Sequence, residues 1–246
     1  MIYRLINRCI TYIFFVYCPI VYSIQIDSLF VIADDQDKAK FTVTNTESER
    51  QFIQVGISEV TLGHEEEMKE VPYTRDNFLD WKVKVRPMKA IVDPKFEKDF
   101  SVIFDCKQCS PNEKKYDRIF KIAYVPLPYF SGEVRPDNLM QVSIGFASIV
   151  LFPGEAKPLS VIARYSKSGV VIENRGDSFI TAVVDTCDYR ENKDDCKSMQ
   201  YIIASREVNF AIKDVETTDD VTVKIFTAEG KYSDSFKLKL GAQVEI

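Results

Sequence analysis

Phe52–Val60 reads FIQVGISEV, a run in which apolar and polar residues alternate. A two-residue period puts alternate side chains on opposite faces of a β-strand, one for a core and one for solvent. The same alternation recurs at Lys40–Thr44 (KFTVT), Lys82–Val85 (KVKV), Phe100–Phe104 (FSVIF) and Ile119–Val125 (IFKIAYV). Turn-forming clusters separate these runs at Asn45–Arg50, Asp93-Pro94, Ser110–Lys115 and Ser131–Asn138. No segment shows a sustained helical period capped at both ends. Short strands at this spacing, with no helices between them, predict antiparallel sandwiches.

The pattern is interrupted at Phe152–Leu159 (FPGEAKPL), where two prolines and a glycine fall within eight residues. Strand signals resume at Ser160 and continue through Gly169–Glu173, Phe179–Asp185, Glu207–Ile212, Val221–Thr227 and Ser235–Leu240. Tight turns are expected at Asn174–Asp177 and Ala228–Lys231. The expected fold class is therefore all-β, with two immunoglobulin-like β-sandwich domains over residues 24–153 and 154–246. Residues 1–23 read as a secretory signal. Arg4 and Arg8 precede an apolar run from about Cys9 to Val21, and Val21 and Ser23 supply the small-residue cleavage positions. That run is too short and too rich in Tyr and Thr to be a membrane span. Tyr17 before Cys18 argues against a lipoprotein.

The 246 residues carry a formal net charge of −5, with no basic stripe, which argues against nucleic acid as a partner. Cys106/Cys109 and Cys187/Cys196 remain after signal removal. An even count in an exported chain predicts two local disulfides. Cys106-x-x-Cys109 has zinc-ligand spacing, but the second pair does not match it, so no metal is expected. His64 is the single histidine and lies in the acidic run His64–Glu67, which lacks the second histidine of a metalloprotease helix. There is no Walker loop and no GxGxxG, and the paired carboxylates Asp34/Asp35, Asp194/Asp195 and Asp219/Asp220 fall in turn-like stretches. No enzyme activity and no cofactor are expected. Arg175-Gly176-Asp177 spells a cell-attachment tripeptide, yet Gly-Asp is ordinary turn chemistry.

Leu139–Phe152 (LMQVSIGFASIVLF) is long for a strand and apolar almost throughout. Met140, Val142, Ile144 and Phe146 share one face; Gln141, Ser143, Gly145 and Ala147 share the other. A central core strand is one reading. The other is an edge strand whose large-residue face is kept for another protein, since a long apolar edge is otherwise an aggregation liability.

In order along the chain, these segments resemble the PapD-like periplasmic chaperones of the chaperone–usher pathway. Phe41–Asn45 with Gln51–Val55 resembles that family's second and third strands. Val85–Val102, with Pro87 and Pro94, resembles its proline-bearing block, and Tyr116–Pro128 resembles its sixth strand. Asn138–Pro153 resembles the terminal strand. Glu173–Ile180 resembles a turn of its second domain, and Cys187…Cys196 resembles a disulfide of the alternate and archaic branch. The resemblance implies a periplasmic protein that folds and caps pilus subunits by lending them Met140, Val142, Ile144 and Phe146, then delivers them to an outer-membrane usher. It implies no stable membrane insertion and raises self-association of the free form. Better-known members anchor the subunit's terminal carboxylate with an Arg and a Lys; the aligned positions here, Phe30 and Ile149, are apolar. Arg118 is the substitute anchor expected from the resemblance, with Lys121 or Arg86 as helpers. The alternative is a secreted two-domain β-sandwich adhesin or pilus structural subunit.

Overall fold

The computed structural model describes residues 24–62, 68–106, 109, 115–129, 144–189, 196–212 and 219–246. The expected signal, His64, Met140 and Val142 lie outside the described residues. The first ten strands are β1 (Ile24–Ile26), β2 (Phe30–Ile32), β3 (Lys38–Asn45), β4 (Gln51–Leu62), β5 (Met68–Pro72), β6 (Val83–Arg86), β7 (Lys89–Val92), β8 (Glu97–Phe104), β9 (Arg118–Pro128) and β10 (Phe146–Phe152). They form two facing sheets, one ordered β1-β3-β8-β6 and the other β2-β10-β9-β4-β5, with β7 also pairing β4.

The chain changes sheets between Ile26 and Phe30. β1 pairs antiparallel with β3 in one sheet, and β2 then pairs parallel with β10 in the other. Alternation sets the core between the sheets. Phe41, Val43, Phe100 and Val102 come from one, and Ile53, Val55, Phe120, Ile122, Tyr124, Val150 and Phe152 from the other. Phe100 meets Tyr124 edge-on at 5.2 Å, and Phe120 meets Phe152 at 5.7 Å. Each such side chain contributes about 1.5–3 kcal/mol on burial.

The remaining strands are β11 (Val161–Ser166), β12 (Gly169–Asn174), β13 (Ile180–Asp185), β14 (Lys197–Ile202), β15 (Arg206–Phe210), β16 (Asp220–Thr227), β17 (Ser233–Lys239) and β18 (Gln243–Glu245). Their sheets run β15-β12-β11-β18 and β14-β13-β16-β17. A second core of Val161, Tyr165, Ile172, Val184, Phe210, Val223 and Leu238 lies between them. Both sandwiches use a buried asparagine at a strand end. Asn45 donates to the carbonyls of Glu49 and Val92, and Asn174 donates to those of Ser178 and Ile202. Each also accepts the N–H two residues on, so the turn and a neighbouring strand are stapled together.

One expectation changes. Leu139–Phe152 is not one strand, because among the described residues β10 begins only at Phe146, and Ile144 and Gly145 precede it. Ala228–Gly230 is a 3-10 turn, as is Arg75–Asp80, too short to show a helical period. β1, β2, β5, β7 and β18 run for only three to five residues, too few for alternation to register.

Candidate functional site

β10 has two edges with different fates. Along its whole length it pairs with β9, from Phe146 opposite Tyr124 to Phe152 opposite Arg118. On the other edge β2 covers only Ile149–Leu151. The Ile149 N–H donates to the Leu29 carbonyl at 2.9 Å, and the Ser148 hydroxyl donates to Ser28 at 2.9 Å. Upstream of Ser148, no strand among the described residues pairs with this edge. The expected choice between a central strand and an edge strand therefore resolves into both: Ile149–Leu151 is interior, and Phe146–Ala147 is edge.

The faces explain the unbroken apolar run. Phe146, Val150 and Phe152 turn into the first core. Ile149 and Leu151 turn outward, into a cluster with Val60, Ile119, Phe30 and Ile32 of the same sandwich and Phe179, Ile203 and Ala228 of the other. A strand buried on both faces reads as continuous hydrophobic sequence. Ile144 is 57% exposed, whereas Phe146 is half-buried against the core. Gly145 between them permits close approach to β9, since a Cβ there would lie 2.5 Å from the Tyr124 carbonyl oxygen.

The structure does not bring the three expected cations together. Arg118 is 9% exposed; its guanidinium lies 3.9 Å over the Phe104 ring, donates to the Pro153 carbonyl at 3.3 Å and faces Asp37 at 3.8 Å. Arg86 is exposed on β6, in the opposite sheet. Lys121 stands three residues after Arg118, hence on the outer face of β9, where it pairs with Glu70. Register puts Lys121 beside Ile149, and Ile149 beside Phe30. Phe30 and Ile149, the positions expected to stand where better-known members carry their anchor, are thus neighbours, and Lys121 is the cation in their row. Phe30 is also stacked on Tyr201 of the second sandwich, with ring centroids 5.2 Å apart.

Between the sandwiches lies a cleft of about 820 Å³, with Asp34, Asp35, Asp37 and Glu155 on its lining beside Phe179 and Tyr201. Cys106 is bonded to Cys109 and Cys187 to Cys196. Asp185 lies near the second pair, but sulfurs tied in a disulfide offer no thiolate to a metal. Arg175-Gly176-Asp177 forms a turn in which Arg175 pairs with Glu173, Asp177 pairs with Lys157, and the Gly176 N–H donates to Asn174.

One surface escapes the sequence reading. Ile91 on β7 is opposite Phe52 on β4, which is opposite Leu127 on β9, and Val125 shares their outward face. Ile91 is 49% exposed, Val125 42% and Leu127 38%. The signal is the odd-numbered phase of β9, opposite to Phe120, Ile122 and Tyr124; it is visible in AYVPLP once the inward phase is known.

No curated protein matches this chain in sequence. Among solved structures, the class 5 fimbriae chaperone CfaA superposes with a TM-score of 0.51 at 14% identity, covering 87% of this chain and 98% of its own. A chain from the chaperone–tip adhesin complex of CFA/I fimbriae biogenesis matches at 0.47 and 18%, covering 89% and 100%. A chain from the Salmonella enterica SafA pilin–SafB chaperone complex matches at 0.48 and 12%, covering 89% and 97%. The first of these speaks for the fold, two β-sandwich domains in series. A family profile, the CS5 fimbrial protein N-terminal domain, matches residues 26–153, more than half of the sequence. With a parallel β2–β10 pair, a half-open β10 and a second sandwich packed on its outer face, the chain belongs to the CS5 fimbrial protein N-terminal domain family, on the PapD-like chaperone fold.

Proposed function

We propose that this protein is a periplasmic chaperone that stabilises and caps fimbrial subunits by lending them the open edge of β10. The observation that carries the reading is the edge at Phe146–Ala147, paired with β9 on one side and with no strand on the other among the described residues, with Ile144 exposed just upstream. An incomplete sandwich could add its own strand there, with main-chain hydrogen bonds giving sequence-tolerant affinity. Ile144, with Met140 and Val142 upstream, would enter the subunit's groove. A secretory signal at residues 1–23 would carry the mature chain out of the cytoplasm, with domains over 24–153 and 154–246. Lys121 would receive the subunit's terminal carboxylate, being the cation beside Ile149 and Phe30, while Arg118 holds the domain junction. The exposed row Ile91–Phe52–Leu127, with Val125, would dock the outer-membrane usher, since it lies at the end of the sheet away from the second sandwich.

The test is co-purification from periplasm, wild type beside Ile144→Asp, with neighbouring fimbrial subunits co-expressed. Wild type is expected to retain a subunit-sized partner. The variant, folded because Ile144 is exposed, is expected to lose it. Equal recovery with both removes strand donation through Ile144. Recovery with neither shifts the reading to a secreted adhesion module.

A further inference from the structure

We infer that the Cys106–Cys109 bridge is a thiol-exchange site, an accessible disulfide that oxidises a pair of cysteines on another polypeptide. The two bridges of the chain are built differently. Cys187–Cys196 closes the connection between β13 and β14 at its root, since Cys187 stands two residues after β13 and Cys196 immediately before β14. Hydrogen bonds hold the same root closed. The Thr186 N–H and hydroxyl both donate to the Cys196 carbonyl, at 2.9 and 3.0 Å, and the Cys187 N–H donates to Asp185 at 3.0 Å. Asp185 in turn pairs with Lys197 at 3.2 Å. Thiols kept together by such a frame re-form their bond when it opens, and Cys196, at 3% exposed, offers an attacking thiolate little access.

Cys106–Cys109 lacks both protections. It spans three residues, so it ties one turn to itself and joins no two strands. Loop-closure entropy rises with loop length, and a bridge this short restrains the unfolded chain least. It follows the end of β8, where the Asp105 N–H donates to the Lys82 carbonyl at 2.8 Å. Beyond that bond, no hydrogen bond or ion pair engages Cys106 or Cys109 among the described residues. Both cysteines are half-buried, hence partly open to solvent. Lys107 and Gln108 are the two residues between them in sequence, and a cation beside a cysteine favours the thiolate that must leave.

The exchange balances without a cofactor. A thiolate of the incoming dithiol attacks one sulfur of the bridge, whose S–S bond breaks, and the other sulfur leaves as a thiolate. The second thiolate then attacks the mixed disulfide, forms the new S–S bond and releases the remaining cysteine. Two electrons and two protons pass from the dithiol to Cys106 and Cys109, one equivalent per chain.

The test begins with the oxidised protein equilibrated, without air, in glutathione buffers of rising [GSH]²/[GSSG], then alkylated and read by mass spectrometry. Cys106–Cys109 is expected to be half open at a ratio at least tenfold lower than Cys187–Cys196, with near-UV circular dichroism unchanged. In a second arm, an unstructured reduced peptide carrying two cysteines is mixed with an equal amount of protein. It is expected to become oxidised as Cys106 and Cys109 become alkylatable, and to stay reduced beside the double variant Cys106→Ser, Cys109→Ser. Bridges that open together, Cys106–Cys109 opening last, or a peptide that fares alike with both proteins each overturn the inference. If the double variant does not fold, the wild-type arms decide alone, and a peptide left reduced by the wild type overturns the inference. Neither arm involves strand donation, so the outcome is independent of the proposed chaperone role.

Discussion

Phe179 is the residue of the second sandwich that is fully buried in the apolar cluster on the first, against Val60, Ile119 and Leu151. It is 3% exposed, so Phe179→Ala removes a nearly complete side-chain burial, about 3–5 kcal/mol for a site of this kind. Part of that belongs to contacts inside its own sandwich, with Ile203 and Ala228. If half or more is coupling between the sandwiches, at least about 1.5–2.5 kcal/mol of interdomain cooperativity disappears, a tenfold to sixtyfold change in the coupling equilibrium. The chain carries one built-in reporter. Trp81 is its single tryptophan and stacks on Tyr73 in the first sandwich, 5.2 Å apart. Fluorescence in urea therefore follows the first sandwich alone, while far-UV circular dichroism follows both. Wild type is expected to give coincident transitions. Phe179→Ala is expected to separate the two midpoints. Leu238→Ala, buried wholly within the second sandwich, should lower the dichroism midpoint with the fluorescence midpoint following it. Coincident transitions in Phe179→Ala, at a midpoint displaced by less than about 1 kcal/mol, would refute the claim that this cluster couples the domains.

Two further outcomes concern the surfaces of β9. Lys121→Gln should leave folding within about 0.5 kcal/mol, since its Glu70 pair is partly exposed, and weaken subunit capture by about fivefold in a titration with purified subunit. Capture unchanged in that titration removes Lys121 as the anchor. Leu127→Glu puts a carboxylate in the middle of the Ile91–Phe52–Leu127 row and should abolish binding of the chaperone–subunit complex to the usher's periplasmic domain while leaving subunit capture intact. Loss of both activities together, or of neither, counts against a separate usher face.

The inward phase of the long strands was legible because a two-residue period has one physical cause. Ile53, Val55 and Ile57 on β4, and Phe120, Ile122 and Tyr124 on β9, are buried as alternation requires. What alternation could not convey is a strand with two buried faces. In β10 the outward Ile149 and Leu151 are apolar because a second sandwich lies on them, a non-local fact that looks in sequence like a stronger version of the core signal. Val60 and Ile119 are the same case, since both stand outside the inward phase of their strands yet are buried in the same cluster. The disulfide partners were readable from spacing. The cations were not. Arg118 and Lys121 are three residues apart and so on opposite faces, but only the contacts of Arg118 with Pro153 and Phe104 and the register of Lys121 against Ile149 show what each face meets.

That register makes β9 the axis on which three demands are met without conflict. Its inner face at Phe120, Ile122 and Tyr124 fills the first core. Its outer face is apolar at both ends and not in the middle: Ile119 lies under the second sandwich, Lys121 and Ala123 follow, and Val125 and Leu127 are exposed at the far end. Had the apolar outer residues been continuous, the strand would present one long hydrophobic stripe, an invitation to edge-on or face-on aggregation. The charged and small residues between them divide it into a half covered by the second sandwich and an exposed half. A sheet divided in this way can hold its own second domain and still engage another protein only if the first contact does not move when the second forms.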